Sequence, residues 1–497
     1  MSVYLFVILL YFFVLIGVAV RKSLSVKTQE DFMVAGRRVS TWFLVGTLVC
    51  TWVGSGSLFG SAGLAFREGF SALWFSAGAW VGLIVVYFLA DRVRRIAEFT
   101  VPDILERRYN STARILGTVI IAIAYLAITG YQFKGGGKLL NIMTRTNPID
   151  PLTGIDPLVG AAITCGVVVV FTLLAGMVSI MSVDLMNGII ITLSVIIAVP
   201  LLLLQEDFGG WAGVVQALPE KYFEIGGGHD WVWFAGIFFP SFFLLMGESS
   251  IYQKFFAARD AATARRAVIG MVIGVVVIET LLALVAVVGS SRYISNAAFV
   301  LPGGGVNPAM AETIILHLAR FELPEVAGAL MLAAAVAIIL STANTFLMIP
   351  AMNMTRDVYQ RFLNPNASST KIVTVNRLLI VVLAAIAFVV ATQFETILSM
   401  AFTAYTMVGA GITPVLLASF LWTRVTPAGG VASMISSMVV TIAITVINAV
   451  RAEPLLEADY IIIPAVLVSF TSLIGVSLAT RPCPREKWEP FVTRQAA

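Results

Sequence analysis

The sequence predicts an all-α integral membrane protein of about thirteen transmembrane helices, and three observations carry that prediction. Apolar residues fill 59% of the 497 positions and charged residues only 12%. About a quarter of an ordinary soluble domain is charged, so this chain could not hydrate a surface of its own. Apolar runs able to cross about 30 Å of hydrocarbon recur from one end to the other. Between them, Lys and Arg alternate between rich loops and poor ones.

In order, the runs lie at 3–20, 41–66, 71–97, 112–133, 157–178, 182–204, 231–253, 266–289, 325–350, 373–392, 395–422, 427–449 and 459–480. The first has neither a basic n-region nor a small-residue cleavage site, so it reads as a retained helix. With the N-terminus outside, the inward loops and the C-terminal tail collect 24 of the 32 Lys and Arg, Lys254 among them, and the outward loops only eight. Losing or adding a span would scramble that alternation. A multi-pass protein of the cell (plasma or inner) membrane is expected, N-terminus outside and C-terminus cytoplasmic. Two outward loops, 205–230 and 290–324, are long, and 308–320 reads as a short surface helix. The whole of 1–497 reads as one membrane domain ending in a tail at 481–497. Cys50, Cys165 and Cys483 lack pairing or metal spacing, and His229 and His317 fall in loops, so a disulfide framework or zinc site is unsupported. No Gly-x-Ser-x-Gly, His-Glu-x-x-His or metal cluster lies at membrane depth, which argues against an enzyme.

The second span is interrupted by Gly54-Ser55-Gly56-Ser57 near its middle. Small residues there permit either close helix packing or an unwound stretch whose free carbonyls face a protein-lined cavity. The seventh span repeats the pattern with Gly236, Pro240-Ser241 and Gly247, and Pro240 removes one helical donor. The two interrupted spans are five helices apart. Because five is odd, a second five-helix unit would start on the opposite side of the membrane, the arrangement of an inverted repeat with a midplane site. The division is then 3–20 as an extra helix, 41–204 and 231–422 as the repeats, and 427–480 as two further helices.

The ninth span carries Ser341, Thr342, Asn344 and Thr345. Positions 338, 341, 342 and 345 share one helical face. Each hydroxyl could simply bond its own preceding turn, but three in a stripe suit a small hard cation held by neutral oxygens. Asp184, at the inner end of the sixth span, reads as a functional carboxylate or a headgroup-level one. Glu279, deep in the eighth, is a proton or cation site or a partner for a hydroxyl. Lys134 and Lys138 flank Gly135-Gly136-Gly137; they snorkel to headgroups or clamp a substrate carboxylate.

These residues resemble the sodium:solute symporter family, which includes proline, pantothenate and sugar carriers. The resemblance rests on Gly60-Ser61-Ala62-Gly63, on the run from Tyr87 through Asp91, Arg92, Arg94, Phe99, Pro102, Asp103, Glu106 and Arg107 to Tyr109, and on Leu340-Ser341-Thr342. It implies a leucine-transporter-type 5+5 inverted repeat and sodium as the coupling ion. Matched by motif, the sodium ligands would be carbonyls of Cys50, Val53 and Ile338 and hydroxyls of Ser341 and Thr342. Some members hold a second sodium, and the matching positions are Asp184, Asn344 and Thr345. The chain departs from the pattern at Ala175-Gly176-Met177, at Val183-Asp184 through Asn187, and at Trp52, where proline carriers have an aspartate. The expected activity is sodium-coupled symport of a small organic solute, carboxylate-bearing if the lysines form a clamp, by alternating access. The solute wall is expected from Trp52, Ser55, Ser57, Trp74, Gln132, Lys134, Phe238, Ser241 and Phe242. The alternatives are proton coupling through Glu279 or Asp184, or a transporter-like sensor or channel. The partners expected are solute and lipid bilayer, with no nucleic acid.

Overall fold

Once inside hydrocarbon, backbone amides must be bonded within their own segment, so the apolar runs have little choice but to be helical. The structure, a computed structural model, describes residues 3–23, 34–96, 98–148, 150–174, 177–451 and 453–492. Ala175-Gly176, Lys27 and Arg494 lie outside the described residues. Among the described residues, eleven helical stretches are long and apolar enough to cross a bilayer.

The first run is helix α1, Val3–Ser23. The second is split: α2, Thr41–Trp52, stops at Val53, and after Gly54 and Ser55 the chain re-enters as a π-helical turn, Gly56–Ser61, and then α3, Ala62–Glu68. Next come α4, Leu73–Ile96, the short α5, Val101–Arg108, and α6, Ser111–Thr144. α6 is longer than expected because Gly135-Gly136-Gly137 stays helical. α7, Pro157–Leu174, and α8, Met177–Leu203, close the first half. Asp184 therefore sits about two turns inside α8, deeper than expected. The loop that follows carries α9, Gly210–Ala217.

The seventh span is split too, but not at its proline. α10, Trp231–Gly247, runs through Pro240, and the break comes at Glu248, where the carboxylate accepts the Ser250 N–H (3.3 Å) and starts α11, Ser249–Ala257. α12, Ala261–Tyr293, is the eighth span. The expected surface helix is two pieces, α13, Pro308–Ala311, and α14, Ile314–Phe321, and the second is largely buried. The ninth span, α15, Glu325–Asn353, continues as a π-helical stretch, Met354–Leu363. α16, Ser369–Ala391, precedes a third interruption: α17, Ile397–Gly411, and α18, Thr413–Leu421, meet at Ile412. Pro414 cannot donate to the Ala410 carbonyl, which Ser469 Oγ satisfies instead at 2.6 Å. The final helices are α19, Pro427–Val450, α20, Ile462–Ala479, and α21, Arg485–Val492.

α6, α15 and the α17–α18 pair are mostly buried, while α7, α8, α16, α19 and α20 present most of their surface outward. The inner three are therefore walls of a protein-lined interior and the others a lipid-facing ring. The charged run quoted above has a structural task at one end of this bundle. Arg114 on α6 bonds Asp103 (2.6 Å), Asp357 (2.5 Å) and Glu106, and Arg356 reaches Asp103 at 3.0 Å. Thr100 caps α5 through the Asp103 N–H and also donates to Asp357 (3.2 Å).

Candidate functional site

A helix that stops in the middle of a bilayer strands polar backbone, so what surrounds the break is informative. At the α2 break the amides that would continue the ladder are used elsewhere. Ser55 N–H donates to Gln132 Oε1 on α6 (3.1 Å), and the Ser57 and Leu58 N–H groups turn back to the Gly54 carbonyl. Glu279 on α12, 2% exposed, spans the gap: it accepts from Trp52 Nε1 before it (3.1 Å) and from Ser57 Oγ after it (2.8 Å), and from Trp80 Nε1 on α4 (2.9 Å). One carboxylate thus holds both stumps of the broken span.

The hydroxyl face of α15 packs on this break. Cys50 Sγ lies 3.3 Å from Ser341 Oγ. A Cβ on Gly54 would come within 3.0 Å of Thr342 Cγ2 and 3.1 Å of its Oγ1, so any side chain here would have to push Thr342 aside by a few tenths of an ångström. Gly56 is more tightly confined, with the Tyr405 hydroxyl 2.7 Å from where its Cβ would be. The hydroxyls of Thr342 and Thr345 are buried without a protein partner. A buried hydroxyl left unpaired loses its hydration for nothing, unless a ligand supplies the missing contact. Cys50, Val53, Ile338, Ser341 and Thr342 are all buried.

The second group of expected ligands is differently engaged. Asp184 Oδ1 accepts from Ser341 Oγ (2.5 Å), and Oδ2 accepts from Thr47 Oγ1 (2.5 Å) and pairs with Lys254 Nζ at 3.0 Å. Asn344 Oδ1 accepts from Thr172 Oγ1 at 2.8 Å. Lys254, assigned to an inward loop by its charge, is instead fully buried on α11.

The expected solute wall divides in two. Trp52, Ser55, Ser57 and Gln132 gather at the α2 break, where Gln132 Nε2 is buried without a protein partner. Trp74, Phe238, Ser241 and Phe242 lie together on the α4–α10 seam: Phe238 stacks on Phe242 (5.5 Å), Trp74 meets Phe238 edge-on (6.1 Å), and Ser241 Oγ is tied to the Phe75 carbonyl. Phe75 links the groups by stacking on Tyr405 (5.9 Å), which faces Trp52 (6.5 Å). Lys134 belongs to neither; its ammonium donates to the Phe394 carbonyl, and Lys138 pairs with Glu312 at 2.5 Å. Both lysines thus have partners within the protein.

Sequence reasoning missed Thr47, Thr51, Lys254, Glu248 and the hydrogen-bonded pair Tyr131 and Tyr405. The signal for two of them was present: Glu248 and Lys254 are lone charges inside the apolar stretch 244–258. Glu248 Oε1 accepts from Tyr125, and its Oε2 is buried without a protein partner. At one end of α3 a cavity of about 340 Å³ opens, lined by Gly60, Gly63, Phe402, Leu398 and the acidic Glu312 and Asp459. Burial, and then Glu457 nearby, pushes the Asp459 carboxyl up to about 6.

Discontinuous helices wedged among continuous ones, with buried oxygens left unpaired beside a break, are the build of a secondary transporter. The sodium:solute symporter family model matches residues 32–437, and the chain belongs to that family. A sodium/proline symporter of Staphylococcus aureus is 25% identical over 495 residues, covering 95% of this chain and 92% of the relative. The sodium/proline symporter of S. aureus strain JH9 is 25% identical over 473 residues, with 91% and 88% covered. Among solved structures, a substrate-bound, outward-open Na+-coupled sialic acid symporter superposes with a TM-score of 0.80 at 16% identity, covering 97% of this chain and 98% of its own. A nucleobase-cation-symport-1 family transporter in a closed conformation, with bromovinylhydantoin bound, gives 0.61 at 12% identity, with 93% and 99% covered. The fold is the leucine-transporter type. The chain is a multi-pass membrane protein that couples sodium to solute movement by alternating access, and it is a transporter, not an enzyme.

Proposed function

We propose that this symporter takes sodium between α2 and α15, through the carbonyls of Cys50, Val53 and Ile338 and the hydroxyls of Ser341 and Thr342. The observation that carries the reading is the contact of the α2 break with the hydroxyl face of α15, with Thr342 Oγ1 left without a protein partner beside Gly54. Neutral oxygens suit an alkali cation, because none of them can trade it for a proton. Membrane potential then assists entry by about 2.3 kcal/mol per charge per 100 mV.

The solute we propose is a small amino-acid-like molecule, in keeping with the proline symporters among the relatives. Its wall is Trp52, Ser55, Ser57 and Gln132, with Trp74, Phe238, Ser241 and Phe242 flanking the route. A carboxylate finds its donor in Gln132 Nε2, since Lys134 and Lys138 are spent on other partners. The repeats are 41–204 and 231–422, with 3–20 and 427–480 outside them, in a cell membrane with the N-terminus outside. Replacing Ser341 by Ala in proteoliposomes should raise the sodium concentration for half-maximal uptake at least tenfold. An unchanged sodium dependence would remove the site.

A further inference from the structure

The Asp184 pocket already holds a cation, and that cation belongs to the chain. Lys254 and Asp184 are both 0% exposed, with Nζ 3.0 Å from Oδ2. The same ammonium donates to the Thr47 carbonyl (2.8 Å), to Thr47 Oγ1 (2.7 Å) and to Thr51 Oγ1. A carboxylate, a backbone carbonyl and two hydroxyls around one positive centre is a ligand set that would equally serve a hard metal cation. The oxygens come from α2 and α8, and the ammonium is delivered from α11, the segment that follows the second break. All nine residues of α11 are buried, so nothing draws the lysine toward water. It is there because Asp184 is there: a buried carboxylate needs a compensating charge.

We infer that Lys254 permanently fills the place of a second coupling cation, so that this symporter moves one sodium per solute. This rests on the sodium site proposed above and adds to it. Asp184 connects the two, because Oδ1 accepts the Ser341 hydroxyl and so turns the Ser341 oxygen's acceptor side away from Asp184, where Cys50 Sγ donates to it at 3.3 Å and an ion could share it. A tethered ammonium balances Asp184 without being transported, so the pocket contributes no charge movement to the cycle. Without the lysine, the same oxygens and an uncompensated carboxylate would draw a sodium ion from solution.

The experiment measures the sodium-to-solute flux ratio and the Hill coefficient for sodium in proteoliposomes, with the relative's solute, proline, as probe. The wild-type chain should give a ratio of one and a Hill coefficient near one. Lys254→Met, which keeps the unbranched stem and removes the charge, should move both toward two. The double variant Asp184→Asn with Lys254→Met, in which pocket and ligand charge vanish together, should return both to one. Should Lys254→Met prove unstable when prepared without sodium, its melting temperature in sodium against N-methylglucamine gives the same answer, as a steeper sodium dependence than wild type. A wild-type ratio of two overturns the inference, as does a folded Lys254→Met protein whose ratio remains one in saturating sodium. Failure of the primary site reads differently: Ser341→Ala would then leave sodium dependence intact whatever stands at position 254.

Discussion

Glu279 does more for this molecule than a lone buried carboxyl suggests. Two indole N–H groups and a hydroxyl converge on it, and two of those donors stand on opposite sides of the α2 break. Hydrogen bonds to an ionised acceptor contribute roughly 1.5–3 kcal/mol each, and leaving a buried donor unpaired costs about as much. Glu279→Gln keeps one acceptor oxygen but brings an NH2 group against an indole N–H, of Trp80 or of Trp52, that has no lone pair to accept it. Uptake by this variant should fall by at least tenfold, with a higher sodium requirement, and Glu279→Asp should fall less. Equal transport by wild type and Glu279→Gln would mean that the break holds its shape without the carboxylate. The residue scale is also where sequence reading was weakest. Ser341 and Thr342 could be chosen because their spacing marks one helical face. Lys254 stood out as a lone charge in an apolar stretch, yet its role did not, because a charge in sequence is assigned to the nearest loop and its partner Asp184 is 70 positions away.

Among the elements, most uninterrupted spans were legible to within about five residues, since hydrocarbon thickness fixes their length; α6 was not, because it runs eleven residues past its expected end at 133 to Thr144. The interruption of α2 was also legible, from a Gly-Ser run that no lipid-facing helix needs. That of α10–α11 was expected but misplaced, because Pro240 looks like a breaker while Glu248 is the residue that caps a new start. The break at Ile412 had a signal in Pro414 that was not used, while the Ser469 bond that satisfies the Ala410 carbonyl could be seen only in space. The α14 segment offers a test of a different kind. His317 is 1% exposed among Tyr293, Phe299 and Phe321, and neither ring nitrogen has a protein partner. Burial, with Arg145 and Arg292 adding to it, lowers its pKa to about 4. The folded state therefore prefers the neutral ring. The stability it contributes is whole above the unfolded value of about 6.5 and drains away as pH falls toward 4. The loss can reach about 3 kcal/mol at 1.36 kcal/mol per pKa unit. Melting of the detergent-solubilised protein should drop between pH 6.5 and 4, and His317→Phe should flatten that drop. Parallel curves for the two proteins would take the acid sensitivity away from His317.

At the scale of the whole molecule, the loops sort themselves by contact into two sets. Arg37 reaches the Glu98 carbonyl, Arg94 the Ala258 carbonyl, Arg92 the Phe420 carbonyl, Arg356 reaches Asp103, and Lys487 the Tyr109 carbonyl. All of these belong to the segments that the positive-charge pattern assigns inward. The sparsely charged loops meet one another in the same way, through Trp74 with Ile225, Lys138 with Glu312 and Arg292 with Asp207. Loops on one side touch only if the number of spans between them is even, so the alternation read from Lys and Arg agrees with the packing. Which set faces the cytoplasm follows from energetics. Moving the arginine-rich set outward against a negative-inside potential costs about 2.3 kcal/mol per charge per 100 mV, so the insertion we propose keeps it inside. Cys483, half-buried between α20 and α21, reports the side directly, because Cys50 is fully buried and Cys165 can be removed as Cys165→Ser. A membrane-impermeant maleimide should label Cys483 in inside-out vesicles and leave it untouched in intact cells. Labelling from the cell exterior would invert the molecule, and with it the direction in which sodium meets the α2 break.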